Sequence, residues 1–302
     1  MTSLNLMTER NQNRILMARR FHYSPPAISN NILFVLLLVL FLLFMSFYGD
    51  TAWQWFMDRM TVLEFVIGVG FTFYFLVFWL LGLPYIYLTM SGKFPSLQKY
   101  KIQDAQPGRK GPKVPLSKAV KLVLFNQFAG TLPFLALVYY LVMKMGYTQD
   151  HPTEAWYIIL LQLVGFLIIE DVLFFTVHWV MHKKWFFKKF HRVHHEYRES
   201  IAIATHYVHY VEHIFGNLIP VFAGVIIIQP HPFTILFWIL IVVMNALHTH
   251  SGYAFPWMSY SVHHDWHHYH VNGSFSAVGL MDKIFGTDKA LEKLHKDYKS
   301  NK

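Results

Sequence analysis

The sequence contains no cysteine, and only 14% of its residues are charged. The absence of cysteine excludes disulfide bonds and thiolate metal sites. The charged fraction is well below the roughly 25% that soluble domains carry, whereas 54% of the 302 residues are hydrophobic and the mean hydropathy is +0.31. We therefore expect part of the apolar surface to contact lipid rather than to lie in a core.

The formal net charge is +9. A basic chain can bind nucleic acid, but it can equally lie against an anionic membrane surface. The basic residues flank apolar segments, and no recognised nucleic-acid-binding pattern accompanies them. We interpret them as signals of membrane topology and expect no nucleic-acid partner.

Apolar runs predict an all-α integral membrane protein with about four transmembrane helices and a re-entrant helical hairpin. Four runs are long enough to cross a bilayer, namely 32–48, 65–83, 122–145 and 156–178. Pro84 is expected to end the second run. Two shorter runs, 214–228 and 233–247, have the length of re-entrant or interfacial helices.

The loops between these runs predict an orientation. The connection between the second and third runs holds eight basic residues: Lys93, Lys99, Lys101, Arg109, Lys110, Lys113, Lys118 and Lys121. The loops around Asp50 and Asp150 hold few. By the positive-inside rule, the N-terminus, the basic loop and everything after His178 face the cytosol.

The 19 histidines are concentrated in three boxes with regular spacing. They are His178 and His182 (HxxxH), His191, His194 and His195 (HxxHH), and His264, His267 and His268 (HxxHH). On a helix, residues at i, i+3 and i+4 share one face, so each box could direct its imidazoles at one ion. A single histidine at a membrane surface can be satisfied by water, but three such boxes predict a metal centre.

The spacing does not choose the metal, because imidazole binds iron, zinc, copper and nickel. Eight boxed histidines exceed the needs of one ion, and mononuclear zinc typically takes four ligands or fewer. A site against apolar helices suits a hydrophobic substrate. Attack on an unactivated C–H bond requires redox chemistry, which zinc lacks. We therefore predict two iron ions, with molecular oxygen as co-substrate.

Buried carboxylates are expected to support this centre. Glu170 and Asp171 interrupt the fourth apolar run, where charged groups are costly and therefore candidates for function. Together with Glu212 and Asp265, they are predicted to orient ligand imidazoles.

The boxes and their surroundings resemble the fatty acid hydroxylase/sterol desaturase superfamily, in particular the methylsterol monooxygenases. The resemblance extends from about 99 to 288. It includes IED at 169–171, HRVHHE at 191–196, HSGY at 250–253, HHDWHH at 263–268 and DKIFGTD at 282–288. Three residues differ from the family pattern: Trp179 stands where an arginine is common, and Phe174 and Phe175 replace aromatic-polar residues.

The resemblance implies a ligand set and an activity. All eight boxed histidines would bind metal, His250 of the HSGY stretch would join them, and His209, followed by Glu212, is a less secure ligand. The implied activity is oxidation of sterol C4 methyl groups in sterol biosynthesis. Electrons would come from NAD(P)H through an external membrane cytochrome and its reductase, in the endoplasmic reticulum membrane with the site facing the cytosol.

These inferences divide the chain into four parts. They are a cytosolic tail (1–30), transmembrane helices with the basic loop (31–155), a fatty acid hydroxylase-like catalytic domain (156–290) and a polar C-terminal tail (291–302). Two other functions remain open at this point. One is hydroxylation or desaturation of another lipid, such as a fatty acyl chain, an alkyl glycerol or another sterol position. The other is a non-catalytic metal-binding membrane protein.

Overall fold

The computed structural model describes residues 32–103, 114–148, 152–255 and 261–300. Within these ranges the chain is helical, no β-strand forms, and one isolated antiparallel bridge joins Lys101 to Tyr253. The all-α prediction is confirmed. The predicted cytosolic tail at 1–30 lies outside the described residues.

Six helices are long and apolar enough to cross a membrane. They are α1 (Ile32–Met57), α2 (Val62–Ser91), α3 (Leu116–Lys144), α4 (Trp156–Met181), α5 (Tyr210–Ile228) and α6 (Pro232–Thr249). Their outer faces expose large aliphatic side chains, such as Leu80 (65% exposed) and Leu161 (66% exposed). Exposed apolar surfaces of this size on successive helices require an apolar solvent. The chain is a multi-pass membrane protein.

Helix α2 does not end at Pro84, contrary to the sequence-based expectation. It continues through the proline to Ser91 and ends at Gly92, whose φ of 62° lies in the left-handed region. Proline removes one backbone hydrogen bond, but membrane helices tolerate this loss where neighbouring helices pack against the freed carbonyl. The left-handed turn, which glycine adopts without strain, is the stronger stop signal.

Helices α5 and α6 form the predicted hairpin, and its tip reaches the end of the bundle where α4 begins. At the tip, the backbone N–H of His231 donates to the carboxylate of Glu154 at 3.3 Å. Next to it, the ring of Phe233 packs edge-on against Trp53 near the end of α1. The opposite ends of α4, α5 and α6 therefore lie together, and these ends carry the histidine boxes.

Close packing of α4 on α5 depends on a glycine. A Cβ atom built on Gly224 would lie 2.8 Å from Cδ1 of Phe166 and 3.2 Å from its Cα. Because one of these contacts is with backbone, the two helices would have to separate to admit a side chain. This contact brings α4 and α5 together toward the start of α4 and the end of α5.

Three further helices build a cap over the histidine-bearing ends. They are α7 (Ser261–His270), α8 (Leu280–Phe285) and α9 (Lys289–Ser300). The segment predicted as a polar tail from residue 291 is instead mostly helix α9. Leu291 and Leu294 are buried against Ile102, Val262 and Trp266. The amphipathic spacing of the two leucines on one face explains the difference.

We predict that Gly224→Ala lowers the thermal unfolding midpoint in detergent, because overpacking of a close interface typically costs about 1–3 kcal/mol. Gly68→Ala is the matched control, since a Cβ there meets nothing within 4 Å. Its midpoint should be unchanged or slightly higher, because alanine favours a helix. Equal effects of the two substitutions would contradict the assigned α4–α5 packing.

Candidate metal centre

The three boxes reach the centre from different kinds of backbone. His178 and His182 come from the last turn of α4. The second box does not form one regular helix as expected. His191 ends a π-helical turn (Phe187–His191), and His194 begins a 3₁₀ turn (His194–Glu196). The second box therefore lies on two short turns of different helical type rather than on one regular helix.

Nine histidines form two groups, and in each group one nitrogen per ring lies within 4.8 Å of all the others. The first group is His178, His182, His191, His195 and His267. The second group is His194, His250, His264 and His268. Every one of the eight boxed histidines and His250 is included, and all except the half-buried His182 are buried.

Each HxxHH box contributes to both groups. His191 and His195 join the first group while His194, between them in sequence, joins the second. In α7, His264 and His268 join the second group and His267 the first. The two groups therefore share the two HxxHH segments that carry their rings, which indicates a single binuclear site rather than two unrelated ones.

The Nε2 atoms within each group lie close together. His267 Nε2 is 3.1 Å from His182 Nε2 and 3.2 Å from His195 Nε2. In the second group, His264 Nε2 lies 2.7 Å from His250 Nε2. A neutral imidazole protonated at Nδ1 presents a lone pair at Nε2.

Backbone carbonyls determine which ring nitrogen carries the proton. A carbonyl can only accept a hydrogen bond, so the Nδ1 that lies against it must donate. Five rings are held in this way: His178 by Phe275 at 2.8 Å, His267 by Gly273 at 2.7 Å, His268 by Tyr197 at 2.8 Å, His250 by Ala246 at 2.8 Å and His270 by Trp266 at 3.3 Å. The first four belong to the two groups, and their Nε2 lone pairs point inward.

The two groups fit metal ions. Facing lone pairs repel unless a cation lies between them, and a ligand imidazole normally donates its other N–H to a carbonyl or carboxylate, as here. Among the described residues, the buried His178 Nε2 has no hydrogen-bond partner. Five and four imidazoles suit two transition-metal ions, and imidazole alone is compatible with iron, zinc, copper and nickel.

The loop 271–279 supplies two of the orienting carbonyls and is strained. Val271 (φ 59°) and Ser274 (φ 53°) have left-handed backbone, which is unfavourable for a β-branched residue such as valine. A Cβ on Gly273 would lie 2.7 Å from the carbonyl oxygen of Thr287. Such strain persists only where the surroundings impose it.

Two buried carboxylates hold loop 271–279 in this strained conformation. Asp171 accepts hydrogen bonds from the backbone N–H groups of Ala277, Val278 and Met281 at 2.9–3.0 Å. Asp282 accepts from the N–H of Phe275 at 2.8 Å. Asp171 was predicted to orient an imidazole directly. It instead holds the loop whose Phe275 carbonyl orients His178.

The other predicted carboxylates have different partners. Glu212 contacts one of the grouped rings, with 2.7 Å between its Oε1 and His191 Nδ1. Asp265 does not bond to histidine. It accepts from the side-chain amide of Gln103 at 2.8 Å, and burial raises its pKa to about 6. Asp265 thus attaches the first part of the basic loop to α7.

His209 and Glu170 lie apart from both groups. The His209 side chain accepts from the N–H of Val211 at 3.1 Å and caps the start of α5. His206 ends a 3₁₀ turn (Ala202–His206) and His213 begins a π turn (His213–Leu218), so His209 shares one regular helix with neither of them. Glu170 forms no bond to a histidine among the described residues; it faces a cavity.

That cavity runs between the membrane helices and ends at the metal centre. Histidines of both groups line its upper end: His178, His191, His194, His250 and His264. Apolar side chains such as Leu135, Val221, Phe222 and Ile239 line most of the remainder. Residues 212 to 229 on α5 follow it throughout, which corresponds to about 25 Å at 1.5 Å per residue.

Burial keeps the ligand imidazoles neutral. It lowers the pKa of His250 to about 4, and burial together with the neighbouring His178 lowers the pKa of His182 to about 2. For His264 and His267, burial followed by the surrounding imidazoles lowers the pKa well below its ordinary value. The neutral form is the one that binds metal.

Comparison with known proteins agrees with this arrangement. The fatty acid hydroxylase family model matches residues 163–287, which include all nine grouped histidines. Methylsterol monooxygenase 2-2 of Arabidopsis thaliana is 31% identical over 264 residues, covering 83% of this chain and 96% of its own. The chain belongs to the fatty acid hydroxylase superfamily. The resemblance noted from the motifs is confirmed.

Other members of the superfamily have different names. Very-long-chain aldehyde decarbonylase GL1-11 of Oryza sativa is 31% identical over 252 residues, covering 80% of this chain and 92% of its own. Fatty acid hydroxylase domain-containing protein 2 of Homo sapiens is 30% identical over 215 residues, covering 70% and 64%. No solved structure matches. Membership in this superfamily of hydroxylases and monooxygenases indicates an oxidoreductase.

Sequence reasoning missed the groups that orient the rings. The carbonyls of Gly273, Phe275, Tyr197 and Ala246 carry no signal in a sequence, because every residue has a carbonyl. Asp282 lies in the DKIFGTD motif. Its bond to the Phe275 N–H acts on a ring only through the loop.

We predict that His267→Ala removes most of the bound metal, because His267 Nε2 lies near two other ligand nitrogens of its group. His209→Asn should retain the metal, since asparagine preserves the helix cap and His209 is in neither group. Metal per chain, measured by inductively coupled plasma mass spectrometry, checks both. Loss of metal in His209→Asn would restore that residue to the ligand set.

We predict that the metal-free protein loses stability as the pH falls from about 7.5 to about 5.5. The grouped histidines outside the membrane helices have pKa values lowered by burial, so below about 6.5 the unfolded chain takes up protons that the folded chain does not. The thermal midpoint with chelator present should therefore fall across this range. A midpoint independent of pH would contradict the neutral, buried state of the rings.

Proposed function

We propose that this protein is an iron- and oxygen-dependent lipid oxygenase of the endoplasmic reticulum membrane that oxidises C4 methyl groups of sterols. The observation that carries the proposal is the position of the nine-histidine centre at the end of an apolar cavity between membrane helices. A lipid in this cavity would present one end to the metals. The methylsterol monooxygenase relatives favour a sterol.

Bound iron would supply, with oxygen, the oxidising chemistry that attack on an unactivated C–H bond requires. The protein's own residues hold the ligand rings neutral, orient them through the carbonyls of loop 271–279 and surround the reacting end of the lipid. The walls formed by Leu135, Val221 and Phe222 exclude water from the tail. His191 is fixed by the Glu212 carboxyl, which limits rotation of that ring.

Electrons have to come from another protein, because the chain carries no flavin or haem motif. In the proposal, they come from NAD(P)H through a membrane cytochrome and its reductase. His182 is the half-buried member of the first group, and it lines a surface pocket with Trp179, Lys183 and Asn272. Lys183 lies over the Trp179 ring at 3.3 Å. This pocket offers the centre a short route to the cytosolic surface assigned by the basic loops.

A second candidate is action on a very long aliphatic chain. It is favoured by the length of the cavity, which α5 follows for about 25 Å, and by the aldehyde decarbonylase relatives of similar identity. An extended chain of about twenty carbons would fill that length. Both candidates use the same metal centre and differ in the occupant of the cavity.

The test uses purified protein loaded with either iron or zinc, with oxygen and a chemical or enzymatic reductant. Each preparation is incubated with a 4,4-dimethylsterol and, separately, with a long-chain aldehyde. We expect oxygen uptake and an oxidised sterol, detected by mass spectrometry, with iron only. The His267→Ala protein is the matched control and should be inactive.

Two results would change the proposal. Conversion of the aldehyde without conversion of the sterol would favour the second candidate. Equal turnover of zinc-loaded and iron-loaded protein would overturn the oxygenase assignment, because zinc has no redox chemistry.

A further inference from the structure

His206 is a buried histidine that belongs to neither metal-binding group. It ends the 3₁₀ turn Ala202–His206, is 8% exposed and lines the cavity. Its Nδ1 lies 2.9 Å from the hydroxyl oxygen of Tyr74 on α2. Its ring stacks on Phe78 of the same helix, with 4.6 Å between the ring centres. These two contacts hold the ring in one orientation in the cavity wall.

The segment that carries His206 lies beside the second metal group. The hydroxyl of Thr205 is 3.3 Å from the carbonyl oxygen of Ala246, and the same carbonyl accepts from Nδ1 of the grouped His250. The tyrosine that follows His206 donates to Glu196, at the end of the 3₁₀ turn of the second box, at 2.6 Å. His206 therefore lines the cavity at the end where the grouped histidines also line it.

Two other polar side chains at this end of the cavity are held by histidines. The hydroxyl of Thr131 lies 2.9 Å from His213 Nε2, and Glu212 contacts His191. The Nε2 atom of His206 differs from them, because it forms no hydrogen bond with any described residue while its ring borders the cavity. A partner for this nitrogen has to come from whatever occupies the cavity.

The ring offers such an occupant a donor or an acceptor. Burial, followed by the neighbouring His213 and His250, lowers the pKa of His206 well below its ordinary value, so the ring is neutral. If Tyr74 donates to Nδ1, the ring proton is on Nε2; if Tyr74 accepts from Nδ1, Nε2 presents a lone pair. A hydroxyl group satisfies either form and a hydrocarbon satisfies neither. An unpaired polar atom in an apolar cavity is costly.

We propose that His206 is a specificity residue, whose Nε2 hydrogen-bonds the 3-hydroxyl of a sterol in the cavity and so holds the adjacent C4 methyl group at the metal centre. The inference rests on the proposed sterol substrate and adds the group that is recognised and the residue that recognises it.

The chemistry of the substrate agrees with this placement. In a 4-methylsterol, three covalent bonds separate the hydroxyl oxygen from the methyl carbon, so both groups lie at one end of the molecule. A hydrogen bond of about 3 Å to His206 therefore keeps the methyl group at the end of the cavity that the grouped histidines line. The apolar remainder of the sterol extends along the apolar walls.

The test measures binding to iron-loaded protein in detergent, without oxygen or reductant. The probes are a 4,4-dimethylsterol with a free 3-hydroxyl and its 3-deoxy counterpart, and a long-chain primary alcohol and the alkane of equal length. We expect the unaltered protein to prefer the hydroxyl sterol over the deoxy sterol by about tenfold, as one well-formed buried hydrogen bond permits. The alcohol and alkane test whether a terminal hydroxyl, which shares this chemistry, is the group recognised instead.

His206→Phe keeps a flat ring against Phe78 but removes both nitrogens, and it should bind the two sterols equally. His206→Gln should retain part of the preference, because its amide still offers a donor and an acceptor. Tyr139→Phe is the matched control: it removes a hydroxyl from the same cavity, on α3, and should keep the full preference. Metal content and thermal midpoint check that each variant is folded, and His206→Leu replaces His206→Phe if the latter is not.

The position of oxidation is a second readout, with oxygen and reductant supplied. The unaltered protein should oxidise the hydroxyl sterol at its C4 methyl groups and the 3-deoxy sterol at more than one carbon. His206→Phe should give mixed products from both sterols, because neither is then held by its hydroxyl.

A full hydroxyl preference in folded His206→Phe would overturn the inference. Loss of the preference in Asn245→Leu would then assign the contact to that amide, which also lines the cavity. No preference within the sterol pair, with or without one for the alcohol, would overturn it as well.

The proposed function fails separately. A sterol that is bound through its hydroxyl by His206 but is never oxidised would leave the role of His206 intact and remove sterol oxidation. Iron-dependent oxidation of the sterol, with affinity and position unchanged in His206→Phe, would do the reverse.

Discussion

The mutual approach of nine imidazole nitrogens is the constraint on which the rest of this structure depends. Ring nitrogens of His264 and His250 are 2.7 Å apart, and those of His182 and His267 are 3.1 Å apart. In each group two rings donate their outer N–H to a carbonyl, His178 and His267 in the first and His250 and His268 in the second, and these rings have only Nε2 lone pairs to direct inward. Their burial opposes protonation as a remedy, as the lowered pKa of His250 shows. A bound cation removes the conflict, and the π turn at 187–191, the 3₁₀ turn at 194–196 and helix α7 all serve to bring the rings to it.

A chain of hydrogen bonds connects the membrane helices to this centre. Asp171, inside α4, holds the N–H groups of residues 277, 278 and 281. Asp282 holds Phe275 from the other side. The Phe275 carbonyl then orients His178, which belongs to the same helix as Asp171. This chain of hydrogen bonds therefore begins and ends on α4. The left-handed residues of the loop, which are unfavourable by themselves, are held by carboxylates whose burial without a hydrogen-bond partner would be costly.

The same helices meet two different environments. Their outer faces carry exposed leucines suited to lipid, while their inner faces leave an apolar cavity that ends at the histidines. Gly224 and Phe166 close the α4–α5 interface beside that cavity. Two neighbouring acids of α4, at equal depth in the helix, therefore have opposite roles. Asp171 faces loop 271–279 and accepts hydrogen bonds from it, whereas Glu170 faces the cavity and has no hydrogen-bond partner among the described residues.

The sequence by itself determined the helical membrane class and the three histidine boxes, because apolar run length and residue spacing are local properties that indicate helices and shared helix faces directly. Its resemblance to a known superfamily added the superfamily and His250. The sequence did not determine how the boxes divide: His194 joins one group while His191 and His195 join the other, and the regular helix α7 divides its three histidines in the same way, according to the rings that the packed segments bring together. Nor could it show that Asp171 binds a loop about one hundred residues later in the chain, that α2 continues beyond Pro84 or that Leu291 of α9 is buried. Those outcomes depend on which backbone groups and apolar faces the packed helices bring together. Spacing along the chain shows which side chains can be neighbours on one helix, and only the tertiary structure decides which donors and acceptors meet.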